Sequence, residues 1–274
     1  MKVGIVGLGL IGGSLARDLA ALGHTVLGYD RSAASLRAAR RAGVIHGVIS
    51  KAMRELAGCD VCVVAVPVSD APAFLARAAP HLSGATLVTD VGSTKRSIVR
   101  AAAHAGIGSQ FVGSHPMAGD HRSGWTAARR GLFGGARVFL TPTRTTPPAT
   151  LRRVRAFWRA VGAKPELITA AAHDRLVAAA SHLPQLVSSA LARQLRDAGV
   201  GRALLGPGGR DVTRLAGANS RMWLAIALDN ADLIGPLVHA QARAFTRLGA
   251  ALDRGDARAV ARLFTAARTW SEAR

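Results

Sequence analysis

A chain of 274 residues that is 49% hydrophobic and 19% charged is neither a disordered tail nor, with two cysteines, a disulfide-stapled scaffold, and its length suits one large domain or two moderate ones. The formal net charge of +20 admits nucleic acid, an anionic membrane or small anionic ligands as partners. Only four of the 36 basic residues are lysine, the arginines form no long run and aromatics make up 4%, which favours solvated helix faces over a nucleic-acid surface.

The first half alternates strand and helix patterns, as a parallel sheet with crossover helices requires. Lys2 to Gly7 reads as a strand and Gly12 to Leu22 as a helix. The uncharged stretch from Val3 to Ala16 is too short and glycine-rich to span a bilayer, and Arg17-Asp18 follow it without a cleavage pattern, so a soluble, cytoplasmic protein is expected. Strands follow at Thr25 to Asp30, Asp60 to Pro67, Thr86 to Asp90, Phe111 to Gly113, Arg137 to Thr141 and Pro165 to Thr169. Helices are expected at Ala33 to Ala42, Ala71 to Ala78, Lys95 to Ala105 and Leu151 to Val161, and a loop at Ser114 to Gly124. From about Ala171 strand signals vanish. Helices are expected there at His173 to Leu195, near Arg210 to Leu215, at Ser220 to Leu252 with an interruption near Gly235-Pro236, and at Ala257 to Trp270. The expected fold is α/β, a Rossmann-type doubly wound sheet over residues 1–170, followed by an all-α substrate and dimerisation domain over 171–274.

Gly7-Leu8-Gly9-Leu10-Ile11-Gly12 follows the first strand and opens the first helix, the context in which a G-x-G-x-x-G pattern binds a dinucleotide. Gly7 permits the turn, Gly9 admits the pyrophosphate, and Gly12 lets the helix approach the sheet with its amides facing the anion. Asp30 ends the second strand where a carboxylate bonds ribose hydroxyls and repels a 2′-phosphate, which favours NAD over NADP. Arg31 beside it can meet a 2′-phosphate or cover the adenine. Val66 and Pro67, ending the next strand, complete the expected cofactor contacts. Cys59 and Cys62 read as buried thiols on opposite faces of a strand, and no metal site is expected.

In Gly113-Ser-His-Pro-Met-Ala-Gly119 the proline biases His115 toward extended backbone, and a held imidazole can take a hydroxyl proton while hydride leaves the same carbon. Ser93, in Asp90-Val-Gly-Ser-Thr-Lys95, can bond His115 or a substrate hydroxyl, or cap the helix that follows. In Ser181-His-Leu-Pro-Gln185 the proline kinks a helix, and His182 and Gln185 share a face. Arg210 and Arg214 lie four apart, so a helical segment lets both grip a dicarboxylate; a solvated face with Asp211 neutralising one of them is the plainer alternative.

Together these motifs resemble the prephenate and arogenate dehydrogenase family of tyrosine biosynthesis. The likeness runs through the glycine turn, Asp90 to Lys95, Gly113 to Gly119, Ser181 to Pro184, and Gly209 to Arg214 with Trp223. It implies oxidative decarboxylation of prephenate or arogenate with NAD, His115 and Ser93 at the reacting hydroxyl, Arg214 on a substrate carboxylate and His182 in the same pocket. It also implies a homodimer through the helical domain, with Arg210 or Asp211 acting across the subunit boundary, and no nucleic-acid or membrane partner. Some members carry a histidine where this chain has Gln185 and a lysine where it has Arg210, so contacts to the substrate side chain differ. Asp120 can pair with the ammonium of arogenate. No regulatory module after Arg274 and no mutase segment before Met1 are expected. The enzyme alternative, a β-hydroxyacid or phosphogluconate-type dehydrogenase, needs a lysine in the long helix, and Lys2, Lys51, Lys95 and Lys164 all precede the helical half. A dinucleotide sensor or nucleic-acid-binding protein is the non-enzyme alternative.

Overall fold

The computed structural model describes residues 1–84, 86–119 and 122–273. Among them, β1 (Lys2–Val6), β2 (Thr25–Tyr29), β3 (Gly47–Val48), β4 (Val61–Val64), β5 (Leu87–Asp90), β6 (Phe111–Pro116), β7 (Arg137–Thr141) and β8 (Lys164–Leu167) form one sheet in the order β3-β2-β1-β4-β5-β6-β7-β8. The helices are α1 (Leu10–Ala21), α2 (Ala33–Arg41), α3 (Ala71–Ala78), α4 (Arg96–His104), α5 (Pro148–Ala160), α6 (Ala170–Val177), α7 (Leu183–Asp197), α8 (Pro207–Thr213), α9 (Ser220–Asp229), α10 (Ala231–Asp253) and α11 (Ala257–Glu272).

Strand alternation divides the core. Val3, Ile5, Val61 and Val63 pack on one side with Leu15, Leu19 and Trp158, while Val6, Cys62 and Val64 pack on the other with Phe74, Leu75 and Ile98. Side chains close several helix starts: Ser32 Oγ accepts from Ser35 N at 3.2 Å, Thr169 Oγ1 from Ala172 N at 3.2 Å, and Asn219 Oδ1 from Met222 N at 3.0 Å. No described helix is long and apolar enough to cross a membrane.

Several expectations need correction. The sheet is mixed, because β6 and β7 are joined without a crossover helix and therefore pair antiparallel, Ser114 opposite Leu140. The sixth strand runs on through His115 to Pro116, so the histidine sits on a strand rather than in a loop. Residues 173–195 run helical without a break, but not as one α-helix: a π-helical turn, Ala178–His182, lies between α6 and α7 just before Pro184, where the ladder can spare the proline's missing N–H. The long C-terminal pattern breaks at Asn230 and not at Pro236. The side chain of Asn230 is wholly engaged by its neighbours, whereas Pro236 forfeits a single bond near the start of α10. Cys59 and Cys62 share one apolar cluster, since Cys59 precedes the strand and alternation does not reach it.

By its contacts the chain divides into two compact units, Met1–Asn230 and Ala231–Arg274. The first holds the sheet and α1 to α9. The second holds α10 and α11, with the cap of α11 supplied by Asp256 Oδ1 accepting from Ala259 N at 2.9 Å.

Candidate active site

The order β3-β2-β1-β4 reverses direction between β1 and β4, and the crevice at the carboxyl ends of such strands is where open α/β sheets take nucleotides. Gly7 there has φ +97°, and a Cβ on it would meet Ala65 O at 2.3 Å. A Cβ on Gly12 would meet Gly7 O at 1.9 Å, so the start of α1 lies directly on the turn. A Cβ on Gly9 would meet no described atom within 4 Å apart from its chain neighbours, which leaves room for a pyrophosphate over the helix N-terminus. Asp30 is already oriented. Its carboxylate accepts Leu8 N and Ser32 N, each at 2.7 Å, which sets it beside the glycine turn. Arg31 leans the other way, its guanidinium 3.2 Å from the Asp70 carboxylate. Val66, half-buried, and Pro67, exposed, follow β4 across the crevice. Leu10 and Ile11 stand 3.7 Å from where a Gly119 Cβ would lie, so the segment following His115 rests against the same turn. These residues fit NAD: an open cradle, a helix start and an acidic partner for ribose.

The chemical half of the site grows from β5 and β6. Ser114, preceding His115, is tied at every polar atom: its N–H donates to Asp90 Oδ1 at 3.0 Å, its carbonyl accepts Lys95 Nζ at 2.8 Å, and its Oγ accepts Trp158 Nε1 at 2.9 Å and meets Thr89 Oγ1 at 2.7 Å. Lys95 is fully buried, and its ammonium pairs with Asp90. Burial pushes its pKa down, against the pull of Asp90 and the neighbouring carboxylates. This network clamps the backbone that carries His115.

His115 Nδ1 lies 2.8 Å from His173 Nε2, and His173 Nδ1 lies 2.8 Å from Asp174 Oδ1. Burial first, then the neighbouring His173, Lys95 and His182, hold the His115 pKa well below 6.5, so its imidazole is neutral near pH 7. Asp174 also accepts Lys95 N at 2.8 Å and Arg96 N at 2.9 Å. Burial alone would raise its pKa, but the bonds from His173, Arg96 and Lys95 prevail and lower it. His182 is buried at the end of the π-helical turn, edge-on to Trp223 with ring centroids 5.8 Å apart. Its Nδ1 faces the Asn230 amide nitrogen at 3.3 Å, and burial lowers its pKa to about 4.

The expected Ser93–His115 bond is absent. Ser93 is half-buried beside α4 and does not cap it; the carboxylate of Asp174 closes that helix start instead. Gln185 Nε2 donates to Leu215 O at 2.8 Å and to Ser189 Oγ at 3.2 Å, which fastens the 3-10 turn Arg214–Gly217 to α7. Arg214 opens that turn and Arg210 lies on α8; both side chains are exposed. Asp120 lies outside the described residues. Sequence reasoning missed His173, Asp174 and Asn230. The one signal for the first two is an adjacent His-Asp pair in an otherwise alanine-rich helix, and for Lys95 its being a lysine in a chain built on arginine. Both cysteines are buried thiols, with Cys62 pushed up to about 12 by burial, and the described residues contain no cluster able to hold a metal ion.

Comparison with known proteins agrees with this layout. Residues 15–167 match the family model for the prephenate dehydrogenase nucleotide-binding domain, and residues 169–266 match that for the prephenate dehydrogenase dimerization domain. The chain is 34% identical over 241 residues to a prephenate dehydrogenase of Lactococcus lactis, covering 85% of this chain and 66% of that one, just under two thirds of its length. Among solved structures, arogenate dehydrogenase of Synechocystis superposes with a TM-score of 0.83 at 30% identity, covering 99% of each chain. Prephenate dehydrogenase of Aquifex aeolicus, solved with hydroxyphenyl propionate and NAD+, superposes with a TM-score of 0.89 at 29% identity, covering 99% of this chain and 98% of that one. A glycine turn with an oriented carboxylate beside it and a neutral, clamped histidine thus occur in a chain that belongs to the prephenate dehydrogenase family.

Proposed function

We propose that this chain catalyses the NAD-dependent oxidative decarboxylation of prephenate to 4-hydroxyphenylpyruvate, or of arogenate to tyrosine. In this reaction the ring carbon bearing the hydroxyl gives up hydride, the hydroxyl proton passes to a base, the ring carboxylate leaves as carbon dioxide with its bonding pair left in the ring, and the resulting phenolate takes a proton back to become the phenol. Aromatisation of the ring drives it. NAD, when bound, supplies the hydride acceptor. The glycine turn, Asp30, Arg31, Val66 and Pro67 hold and orient it, and Asp30 disfavours a 2′-phosphate.

The observation that carries the reading is the bonding of His115. Its Nδ1 is committed to His173, so Nε2 is the nitrogen left to face the hydroxyl. A depressed pKa keeps the imidazole uncharged near neutrality, and departure of hydride makes the hydroxyl a far stronger acid as the transfer proceeds. Ser93 is the proposed partner of the substrate hydroxyl. Arg214 binds a substrate carboxylate, with Arg210 supporting it across a homodimer formed through the helical domain, and Gln185 holds the turn that presents Arg214. His182 lines the pocket as a neutral donor, and Asp120 receives the ammonium of arogenate. The enzyme works in the cytoplasm on these small anions, without nucleic acid or membrane. The β-hydroxyacid alternative is disfavoured, because Lys95 is bound to Asp90 and no lysine lies in the helical half.

Purified protein mixed with NAD+ and either prephenate or arogenate should form reduced cofactor. Turnover of one substrate settles the preference between them, and turnover of neither refutes the proposal.

A further inference from the structure

His173 and Asp174 are buried and titratable, and they stand in line behind the proposed base. A carboxylate only accepts, so the 2.8 Å approach of His173 Nδ1 to Asp174 Oδ1 puts a proton on that nitrogen, and a neutral His173 ring then presents a bare Nε2. That bare nitrogen sits 2.8 Å from His115 Nδ1, which must then be the donor. With the opposite tautomer two lone pairs would face each other inside the protein. The rings meet edge-on, with centroids 5.0 Å apart and planes at 70°, which is an N–H to nitrogen contact and not a stack.

We propose that His173 is a positioning residue that locks His115 in the tautomer with a bare Nε2, and that Asp174 holds His173 in turn. The proposal rests on the reading of His115 as the base. Asp174 is well suited to the task, because it is immobilised by Lys95 N, Arg96 N and the Arg96 guanidinium. Phe139 packs edge-on against His173 at 5.6 Å and keeps its ring from turning. When His115 takes the substrate proton, its Nδ1–H still points at His173, and the carboxylate behind the second ring steadies the new positive charge. A latch between α4 and α6 needs only Asp174, so a structural role alone leaves the His173 ring without a purpose.

The test combines nitrogen-15 histidine NMR with kinetics. Wild-type protein should show neutral His115 protonated on Nδ1. His173→Leu should lose that signature and lower kcat on the order of 10²-fold, with KM and the NAD+ dissociation constant changed by less than roughly threefold. His173→Gln, whose amide oxygen can accept the same N–H, should recover about tenfold of the loss. Wild-type His115 protonated on Nε2, or His173→Leu keeping both tautomer and turnover, would overturn the proposal. If His173→Leu fails to fold, the wild-type spectrum and His173→Gln decide. A wild-type enzyme that turns over neither substrate refutes the functional reading alone, since the tautomer is still read directly.

Discussion

Asp174 closes the N-terminus of α4 from 79 residues away, its Oδ1 accepting the backbone N–H of Lys95 at 2.8 Å. One carboxylate thereby caps a helix of the sheet domain, pairs with Arg96 at 3.1 Å and bonds the ring behind the base. Removing it takes the acceptor from two backbone donors and one of its partners from the Arg96 guanidinium. Asp174→Ala should cost roughly 3 to 5 kcal/mol, read as a lower urea midpoint at unchanged slope. Asp174→Asn should lose less, because its amide oxygen still accepts one N–H.

That capping shows where legibility in the sequence ends. The strands and helices over 1–167, apart from the two-residue β3, can be read, as can the glycine turn and Asp30, because each depends on residues adjacent in the chain: apolar periodicity, a turn, a strand end. Ser93 as a cap for α4 follows the same local logic and fails, since a carboxylate from α6 occupies the site instead. The break at Asn230 is likewise set by distant partners. Asn230 donates to Asp174 O at 3.0 Å and accepts Arg96 Nη2 at 2.8 Å, contacts that no local window contains.

The glycines of the first turn separate folding from cofactor binding. Gly12→Ala places a methyl 1.9 Å from Gly7 O and should unfold or severely destabilise the protein, which a thermal melt would show. Gly9→Ala meets nothing within 4 Å and should melt like the wild type. Its methyl would fill the space left for pyrophosphate, so the NAD+ dissociation constant, followed by fluorescence titration, should rise by about tenfold or more. Unchanged binding would place the pyrophosphate elsewhere.

His115→Asn keeps a polar side chain on β6 and removes the proton acceptor. The expected loss in kcat is about 10²- to 10⁴-fold with NAD+ affinity intact, measured by steady-state kinetics beside a cofactor titration. Because burial holds the His115 pKa well below 6.5, wild-type kcat should stay level as pH falls to 6.5 and decline only below it.

Arg214 opens the turn that Gln185 fastens, and its exposed guanidinium is available for a substrate carboxylate. Arg214→Ala should raise KM by about tenfold or more with a smaller change in kcat. Gln185→Ala frees the Leu215 carbonyl and loosens that turn, so it should shift KM in the same direction by a lesser factor. Substrate affinity indifferent to Arg214 would transfer the anchoring role to another cation.

His182 links stability to acid. Its folded pKa of about 4 lies below the ordinary value of 6.5, so between those limits the unfolded chain takes up a proton that the folded protein refuses. More protons bound by the unfolded state means that stability rises with pH, and the contribution is therefore complete above pH 6.5 and lost on the way down. The size is roughly 3 kcal/mol by pH 4. His115, also depressed, adds to the same limb, whereas Asp174 contributes only at lower pH, as its carboxylate is titrated. Urea denaturation of wild type and His182→Asn at pH 7 and pH 5 isolates the histidine: the variant should be less stable than wild type at pH 7, where the bond to Asn230 and the packing on Trp223 are lost, yet should fall less between the two pH values. An equal fall in both proteins would mean that His182 charges as readily in the folded state as in the unfolded chain.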